Sequence, residues 1–226
     1  MRRQVLITAV ILVTVHAHPA WANPPVPLPN GGTLLNVPVK SFVELRFANV
    51  VRQAYDVSCG AAAMATILQY YYGDPVSEQT AIEAMVKLGD KEKIQKDGFS
   101  LLELKRFALQ RGYVSNGYRV NDVRKLSKLP VPVITLINVR GYNHFVVVKG
   151  VAGGEVFLAD PAFGNRSRPI ESFAQEWNGV IFVVFSETRK GSNTFTLDPT
   201  LKAPVNQVIP LIERVAGGVG RGRGEF

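Results

Sequence analysis

The sequence predicts an α+β fold in which helices come first along the chain and an antiparallel sheet follows. The first half carries apolar residues at helical spacing, whereas the second half alternates turn residues with short runs rich in Val, Ile and Phe. A length of 226 residues suits one domain with extensions at its ends. The 46% hydrophobic and 19% charged residues are those of an ordinary globular chain, which excludes a wholly disordered or fibrous protein.

Residues 1–22 are typical of a secretory signal peptide. Arg2 and Arg3 precede an apolar run over residues 5–15, and a small-x-small cleavage site ends at Ala22. The run is shorter than the about 20 residues that span a bilayer, so a cleaved signal is favoured over an uncleaved N-terminal anchor. We therefore expect an exported protein that is periplasmic or secreted, without a transmembrane segment after cleavage.

Loss of the signal peptide would leave few reactive groups. The net charge would fall from +8 to +6, and Cys59 and His144 would be the sole cysteine and histidine. One cysteine excludes an internal disulfide framework and a multi-cysteine metal site, and no metal or other cofactor is expected. Exported proteins usually pair or lose free thiols, so this cysteine is either a reactive group or a small buried hydrophobic side chain.

Composition divides the rest of the chain into three parts. Residues 23–48 form an N-terminal extension that begins rich in proline and glycine, although residues 33–47 alternate partly and could form one or two strands. Residues 49–190 have the continuous pattern of apolar residues that is typical of a folded domain. Residues 191–226 form a tail whose glycine-rich, basic end is predicted to be disordered.

Three helices are predicted in the first half of the domain. Cys59–Tyr72 is alanine-rich and apolar on most faces, which indicates a buried helix. A second helix is expected from Ser77 to Leu88. A third is expected over Leu101–Gln110, because Ser100 and Glu103 have the spacing of a capping box.

Four strands are predicted in the second half, where β-branched and aromatic residues are concentrated. They are Val131–Val139, His144–Val151, Glu155–Ala159 and Val180–Phe185. The pair Gly153 and Gly154 suits the turn of a hairpin between the second and third of these strands.

Cys59 is the first candidate for chemistry, because it stands at the predicted start of the buried helix. The positive end of a helix dipole and its unpaired N–H groups favour a thiolate there. Asp56 and Ser58 could cap the helix, and Gly60 could leave room for a substrate backbone. The alternative is that Cys59 only fills the core beside its alanine neighbours.

Three further residues become candidate catalytic residues when they are considered together with Cys59. His144 opens a strand, and Asp160 ends the next one, so antiparallel pairing would let the carboxylate orient the imidazole. Gln53 could donate an amide hydrogen bond to an oxyanion. Taken singly, they could be a structural histidine, a strand-ending Asp-Pro turn and a solvated loop glutamine.

Three segments together resemble the bacteriocin-processing, double-glycine-type cysteine peptidases. They are QAYDVSCGAAAMATILQYYYGDPVSE, YNHFVVVKGV and VFLADPAFGN. The resemblance extends over residues 49–186 and implies a papain-like fold, with N-terminal helices packed on an antiparallel sheet. It implies that Cys59 is the nucleophile, His144 the acid/base, Asp160 the residue that orients it, and Gln53 part of the oxyanion hole.

Many members of that family are the N-terminal domain of an ABC exporter and trim leader peptides after Gly-Gly. This sequence has a signal peptide and neither a transporter domain nor a nucleotide-binding motif, so it resembles stand-alone exported members, some of which accompany secretion of functional amyloid. The resemblance implies an endopeptidase acting on a secreted or amyloid-forming peptide or protein, with cleavage after Gly-Gly and a link to secretion machinery as further expectations.

Two other functions remain open at this point. One is a peptide-binding or chaperone-like domain that keeps the site without using it, and the other is a hydrolase of peptidoglycan cross-links. Gly31 and Gly32 could be a self-processing site. No basic–aromatic cluster for nucleic acid is found, and export argues against such a partner.

Overall fold

Helices occupy the first part of the described chain and strands the second, as predicted. The structure is a computed structural model that describes residues 40–192 and Phe195. The α-helices in this part are α1 (Phe42–Arg46), α2 (Cys59–Thr66), α3 (Glu78–Leu88), α4 (Lys91–Asp97), α5 (Leu101–Gln110) and α6 (Ile170–Glu176). A π-helical turn, Ile67–Tyr71, continues α2, and a 3-10 helix spans Val123–Lys128.

The strands of the described residues form one antiparallel sheet. They are β1 (Val114–Arg119), β2 (Val133–Val139), β3 (Tyr142–Ala152), β4 (Glu155–Asp160), β5 (Gly164–Pro169) and β6 (Trp177–Phe185). Their order is β1-β6-β2-β3-β4-β5, and every neighbouring pair is antiparallel. The strands β2, β3 and β4 are consecutive hairpins, and the predicted turn at Gly153 and Gly154 joins β3 to β4.

Local capping signals fix the starts of two of the three predicted helices, α3 and α5. Ser100 accepts a hydrogen bond from the Leu102 N–H at 3.2 Å, and Glu103 accepts one from the Ser100 N–H at 2.8 Å, so α5 has the predicted capping box and bounds. Ser77 precedes α3 and accepts from the Thr80 N–H at 3.1 Å. These contacts lie within one helical turn, which is why sequence alone locates them.

The core lies between α2 and the sheet. Every residue of α2 is buried, as the apolar pattern predicts, and the helix packs against β3 with α3 and α5 beside it. The alanines of α2 allow a close approach between helix and strand. This packing brings the N-terminus of α2 to the beginning of β3.

Part of the extension is helical, so its strand prediction is wrong in the described part. Phe42–Arg46 is the helix α1, with Glu44 in its first turn and Arg46 in its last, where both charges suit the helix dipole. Residues 33–39 lie outside the described residues, as do the predicted signal peptide, Gly31 and Gly32, and the tail beyond Phe195. No helix among the residues described is long and apolar enough to cross a bilayer.

Candidate active site

Cys59 is the first residue of α2 and is buried. Its Sγ accepts a hydrogen bond from the backbone N–H of Phe145 in β3, with the nitrogen 3.5 Å from the sulfur. Ser58 stands at the N-cap but makes no side-chain capping bond, so the cap predicted there is wrong. Its hydroxyl accepts from the Tyr55 N–H instead and lies within hydrogen-bonding distance of the Tyr55 carbonyl and of Glu78 Oε1, to one of which it donates. The start of α2 therefore has no side-chain cap beside the thiol.

His144 lies near the start of β3, opposite Ile137 of β2. Its Nε2 is 2.7 Å from Oδ1 of Asp160, and the Cys59 thiol lies within hydrogen-bonding reach of the same ring. Because Nε2 is occupied by Asp160, the other ring nitrogen, Nδ1, is the one available to Cys59. Burial by itself would lower the pKa of His144, but the hydrogen bonds to Asp160 and Cys59 outweigh it and raise the pKa to about 9.

Asp160 is the last residue of β4 and is fully buried. The β3–β4 register pairs Val147 with Ala159, so Asp160 lies on the same face as His144 and diagonal to it. Its Oδ1 also accepts from the N–H of Ala162 at 2.9 Å. Burial by itself would raise the pKa of Asp160, but the hydrogen bond to His144 and the neighbouring positive charges hold this pKa below its ordinary value.

Arg166 completes this cluster and was not predicted from the sequence. Its Nε donates to Oδ2 of Asp160 at 2.8 Å, and its Nη2 lies 2.6 Å from the same oxygen. Thus one carboxylate oxygen faces His144 and the other faces Arg166. The polar sequence of β5 carries no strand signal, and nothing local indicates that Arg166 reaches Asp160.

Gln53 lies in a loop and is half-buried, and both its backbone and its side chain make hydrogen bonds. Its N–H donates to the carbonyl of Pro161, which follows Asp160, at 2.9 Å. Its Nε2 donates to the carbonyl of Tyr55 at 3.1 Å. The amide nitrogen carries two hydrogens, so one remains for another acceptor. Its Oε1 is buried and has no hydrogen-bond partner among the residues described.

Gly60 serves packing, so the predicted room for a substrate is wrong. A Cβ at this position would lie 3.1 Å from Cδ2 of Phe145 and 3.2 Å from Cδ1 of Leu104. These side chains already fill the space. Gly60 therefore lets the start of α2 approach β3 and α5, which brings the thiol to the Phe145 N–H.

An apolar pocket of about 260 Å³ lies beside the residue that precedes the thiol. Side chains of the Gln53–Cys59 loop, α3 and α4 line it together with Phe99; they are Tyr55, Val57, Ser58, Ile82, Val86, Lys91, Ile94, Gln95 and Phe99. Such a surface can take apolar side chains of a peptide. No group of three or more His, Cys, Asp or Glu side chains among the described residues is placed to hold a metal ion.

A thiol at the start of a buried helix and an imidazole held by a carboxylate on an antiparallel sheet are the parts of a papain-like cysteine peptidase. The model of the Peptidase C39 family matches residues 48–189, and the chain belongs to this family. It is therefore a cysteine peptidase, and the predicted family, fold class and enzyme class are confirmed.

Known proteins similar to this chain agree with that assignment. It is 38% identical over 197 residues to a protein of Pseudomonas aeruginosa named probable functional amyloid protease FapD, across 87% of this chain and 86% of that protein. A double glycine motif protease from an AMS/PCAT transporter, solved in complex with the leader peptide, is 29% identical with a TM-score of 0.50, over 60% of this chain and 89% of that one. The peptidase domain of Streptococcus ComA, at 21% identity and a TM-score of 0.53, shares the fold over 61% of this chain and 97% of that domain.

Proposed function

We propose that this chain is an exported cysteine endopeptidase in which Cys59 is the nucleophile and His144 the acid/base. Asp160 orients the imidazole, and the Gln53 amide with the Cys59 N–H forms the oxyanion hole. The 2.7 Å contact between His144 Nε2 and Asp160, with the thiol in reach of the same ring, carries this proposal. It leaves one ring nitrogen free to exchange a proton with sulfur or substrate.

Acylation begins when the Cys59 thiolate attacks the carbonyl carbon of the scissile peptide bond and forms a C–S bond. The π electron pair of the carbonyl then moves to the carbonyl oxygen. The oxyanion accepts hydrogen bonds from Gln53 and from the N–H of Cys59. When the carbonyl re-forms, the C–N bond breaks and His144 gives its Nδ1 proton to the leaving amine. The raised pKa of His144, about 9, keeps that proton in place at neutral pH.

Deacylation uses the same groups in reverse. His144, now neutral, takes a proton from water, and the resulting hydroxide attacks the thioester carbon. The C–S bond then breaks and restores the thiolate beside the imidazolium. The acyl product leaves as a carboxylic acid, which loses its proton to solvent.

We infer that the substrate is a secreted peptide or protein, cleaved after Gly-Gly, and that the enzyme works with a secretion system for functional amyloid. The relative FapD is named a probable functional amyloid protease, and the AMS/PCAT relative is a double glycine motif protease bound to a leader peptide. The apolar pocket at Tyr55, Val57 and Phe99 would take apolar side chains of the substrate beside the scissile bond.

We propose that residues 1–22 direct export and are removed, that 23–48 form an extension, that 49–190 are the peptidase domain and that 191–226 are a tail. The location would be periplasmic or secreted. Mass spectrometry of the protein from the cell envelope should give Asn23 as its first residue. A protein that retains residue 1 there would contradict the cleaved signal.

A peptide pair tests the peptidase assignment. The purified protein is incubated with a peptide containing Gly-Gly and with a matched peptide containing Ala-Ala, and products are identified by mass spectrometry. We expect cleavage after Gly-Gly that the Cys59→Ala variant lacks. Cleavage by Cys59→Ala at the wild-type rate would overturn the assigned nucleophile, equal cleavage of both peptides would overturn the Gly-Gly specificity, and binding without cleavage would indicate a peptide-binding domain.

A further inference from the structure

A buried carboxylate outside the proposed catalytic residues holds the loop that joins Gln53 to Cys59. Glu78, the first residue of α3, is 9% exposed. Its Oε1 and Oε2 accept from the N–H of Ala54 at 2.9 and 3.0 Å. Its Oε1 also lies 2.5 Å from the hydroxyl oxygen of Ser58, which is itself buried.

The two residues that contact Glu78 stand at opposite ends of the loop. Ala54 directly follows Gln53, and Ser58 directly precedes Cys59. One carboxylate therefore connects the two ends. The separation between the Gln53 amide and the Cys59 backbone N–H depends on that connection, because no regular secondary structure spans the residues between them.

The same contacts continue to the Gln53 side chain. The Ser58 hydroxyl oxygen lies 2.7 Å from the Tyr55 carbonyl oxygen and accepts from the Tyr55 N–H at 3.2 Å. The Tyr55 carbonyl in turn accepts from Nε2 of Gln53 at 3.1 Å. A series of short polar contacts thus leads from Glu78 through Ser58 and Tyr55 to the amide proposed to bind the oxyanion.

Burial of Glu78 requires compensation, because a carboxylate removed from water is costly unless hydrogen bonds replace its hydration. The start of α3, where positive partial charge collects, supplies part of that compensation. The loop supplies the donors. A negative charge this close to a thiolate does not favour the thiolate by its field, so the contribution of Glu78 lies in geometry.

We propose that Glu78 is a positioning residue for the oxyanion hole. It fixes Gln53 and the Cys59 N–H at the spacing needed to bind the tetrahedral oxyanion. This inference rests on the proposed roles of Gln53 and Cys59. Glu78 touches neither substrate nor the reacting atoms and acts only through the loop.

The Glu78→Gln variant of the full chain tests this role. The amide oxygen can accept from the Ala54 N–H, but the NH₂ group then faces the Ser58 hydroxyl, which must give up its donation to residue 78 and turn its hydrogen to the Tyr55 carbonyl. We expect kcat to fall about 10- to 100-fold with KM within about twofold, since an oxyanion contact is made only in the transition state. The rate of Cys59 alkylation by iodoacetamide should stay within about twofold, because alkylation forms no oxyanion.

A double-mutant cycle of Glu78 and Gln53 shows whether Glu78 acts through Gln53. In the Gln53→Ala background, Glu78→Gln should cost no more than about threefold in kcat, because coupled residues are not additive. Full additivity of the two effects would overturn the inference. Ser77→Ala is the matched control, since it removes the cap of the same helix end without touching the loop, and it should leave kcat unchanged.

The outcomes separate this inference from the proposed function. If Cys59→Ala abolishes cleavage and Glu78→Gln leaves kcat unchanged, the positioning role is wrong and the peptidase assignment stands. If Glu78→Gln lowered the rate of peptide cleavage and the rate of Cys59 alkylation by the same factor, the positioning role would also be wrong. Should Glu78→Gln fail to fold, Ser58→Ala removes the hydroxyl contacts to Glu78 and Tyr55 and keeps the contact between Glu78 and the Ala54 N–H. We then expect Ser58→Ala to lower kcat and to leave the rate of Cys59 alkylation unchanged. An unchanged kcat in Ser58→Ala would reject the proposal.

Discussion

His144 Nε2 lies 2.7 Å from Oδ1 of Asp160, although sixteen residues separate them along the chain. The β3–β4 hairpin brings them together, and the register sets them diagonally on one face of the sheet. Asp160 is fully buried, so water does not compete for this contact. The hydrogen bond therefore fixes both the orientation and the charge of the imidazole.

Replacement of Asp160 by Asn should reduce cleavage and shift its pH dependence. We expect kcat/KM to fall about 100- to 10,000-fold, because the amide can hold the wrong tautomer of His144. Wild-type activity should decline as pH rises through the His144 pKa of about 9, and this alkaline limb should move to lower pH in Asp160→Asn. The measurement is kcat/KM from about pH 5 to 10. Asp122→Asn, at a residue paired with Arg124, should leave the profile unchanged.

The raised pKa of His144 also predicts a pH-dependent stability. A folded-state pKa of about 9 against an ordinary 6.5 means that the imidazolium is stabilised by folding. This contribution is fully present below about pH 6.5 and is lost as pH rises through 9, at most about 3.4 kcal/mol at 1.36 kcal/mol per pKa unit. Urea unfolding across this range should show the loss in wild type and not in His144→Gln. Equal losses in both proteins would contradict the assignment.

The Arg166→Gln substitution should change the ionisation of Asp160, because Arg166 contacts Oδ2, the carboxylate oxygen that does not face His144. The guanidinium lowers the pKa of Asp160, so its removal should raise that pKa. The stability that ionised Asp160 provides exists above the ordinary carboxyl pKa and is lost as pH falls through the folded-state pKa. The variant should lose it at higher pH than wild type, and removal of one partner of a buried pair should cost about 2–4 kcal/mol at neutral pH.

Arg168→Gln provides the comparison for this prediction. Arg168 lies two residues along β5 and pairs with Glu176 rather than Asp160. Urea unfolding and kcat should be measured for both variants from about pH 4 to 8. If the unfolding free energy of Arg168→Gln were lost at a pH as high as that of Arg166→Gln, the effect would not be specific to Asp160.

Gly60→Ala should disturb both stability and cleavage. The new methyl group would meet Phe145 at 3.1 Å and Leu104 at 3.2 Å, so these packed side chains must give by a few tenths of an ångström or the start of α2 must shift. We expect a loss of about 1–3 kcal/mol in unfolding free energy from overpacking and a fall in kcat, because Cys59 moves with the helix. Gly117→Ala, where the nearest atom is 3.9 Å from the added Cβ, should change neither measurably. Unaltered kcat in Gly60→Ala would contradict the packing role.

The elements with strong local signals were predicted to within a few residues. The α5 helix has its predicted bounds because Ser100 and Glu103 cap it within one turn. The strands β2 to β4 and β6 were found because apolar β-branched residues dominate each of them.

Three of the elements that were missed, α4, β1 and β5, have polar sequences. The α4 helix has one buried residue, Ile94, and a hydrophobic pattern cannot identify so short a helix. The outer strands β1 and β5 are rich in Ser, Asn, Gly and Arg. They form because β6 and β4 offer them backbone partners, and that pairing is a long-range interaction.

The sequence by itself determined the bounds of α3 and α5, the strands of the sheet centre and the candidates Gln53, Cys59, His144 and Asp160, because each rests on nearby residues or on a resemblance to relatives. Only the tertiary structure decided how they meet. The Phe145 N–H at the thiol, Arg166 at Asp160 and Glu78 beneath the loop all depend on contacts between elements far apart in the chain. Such contacts arise when the buried faces of α2 and the sheet pack together, and no local pattern of residues specifies them.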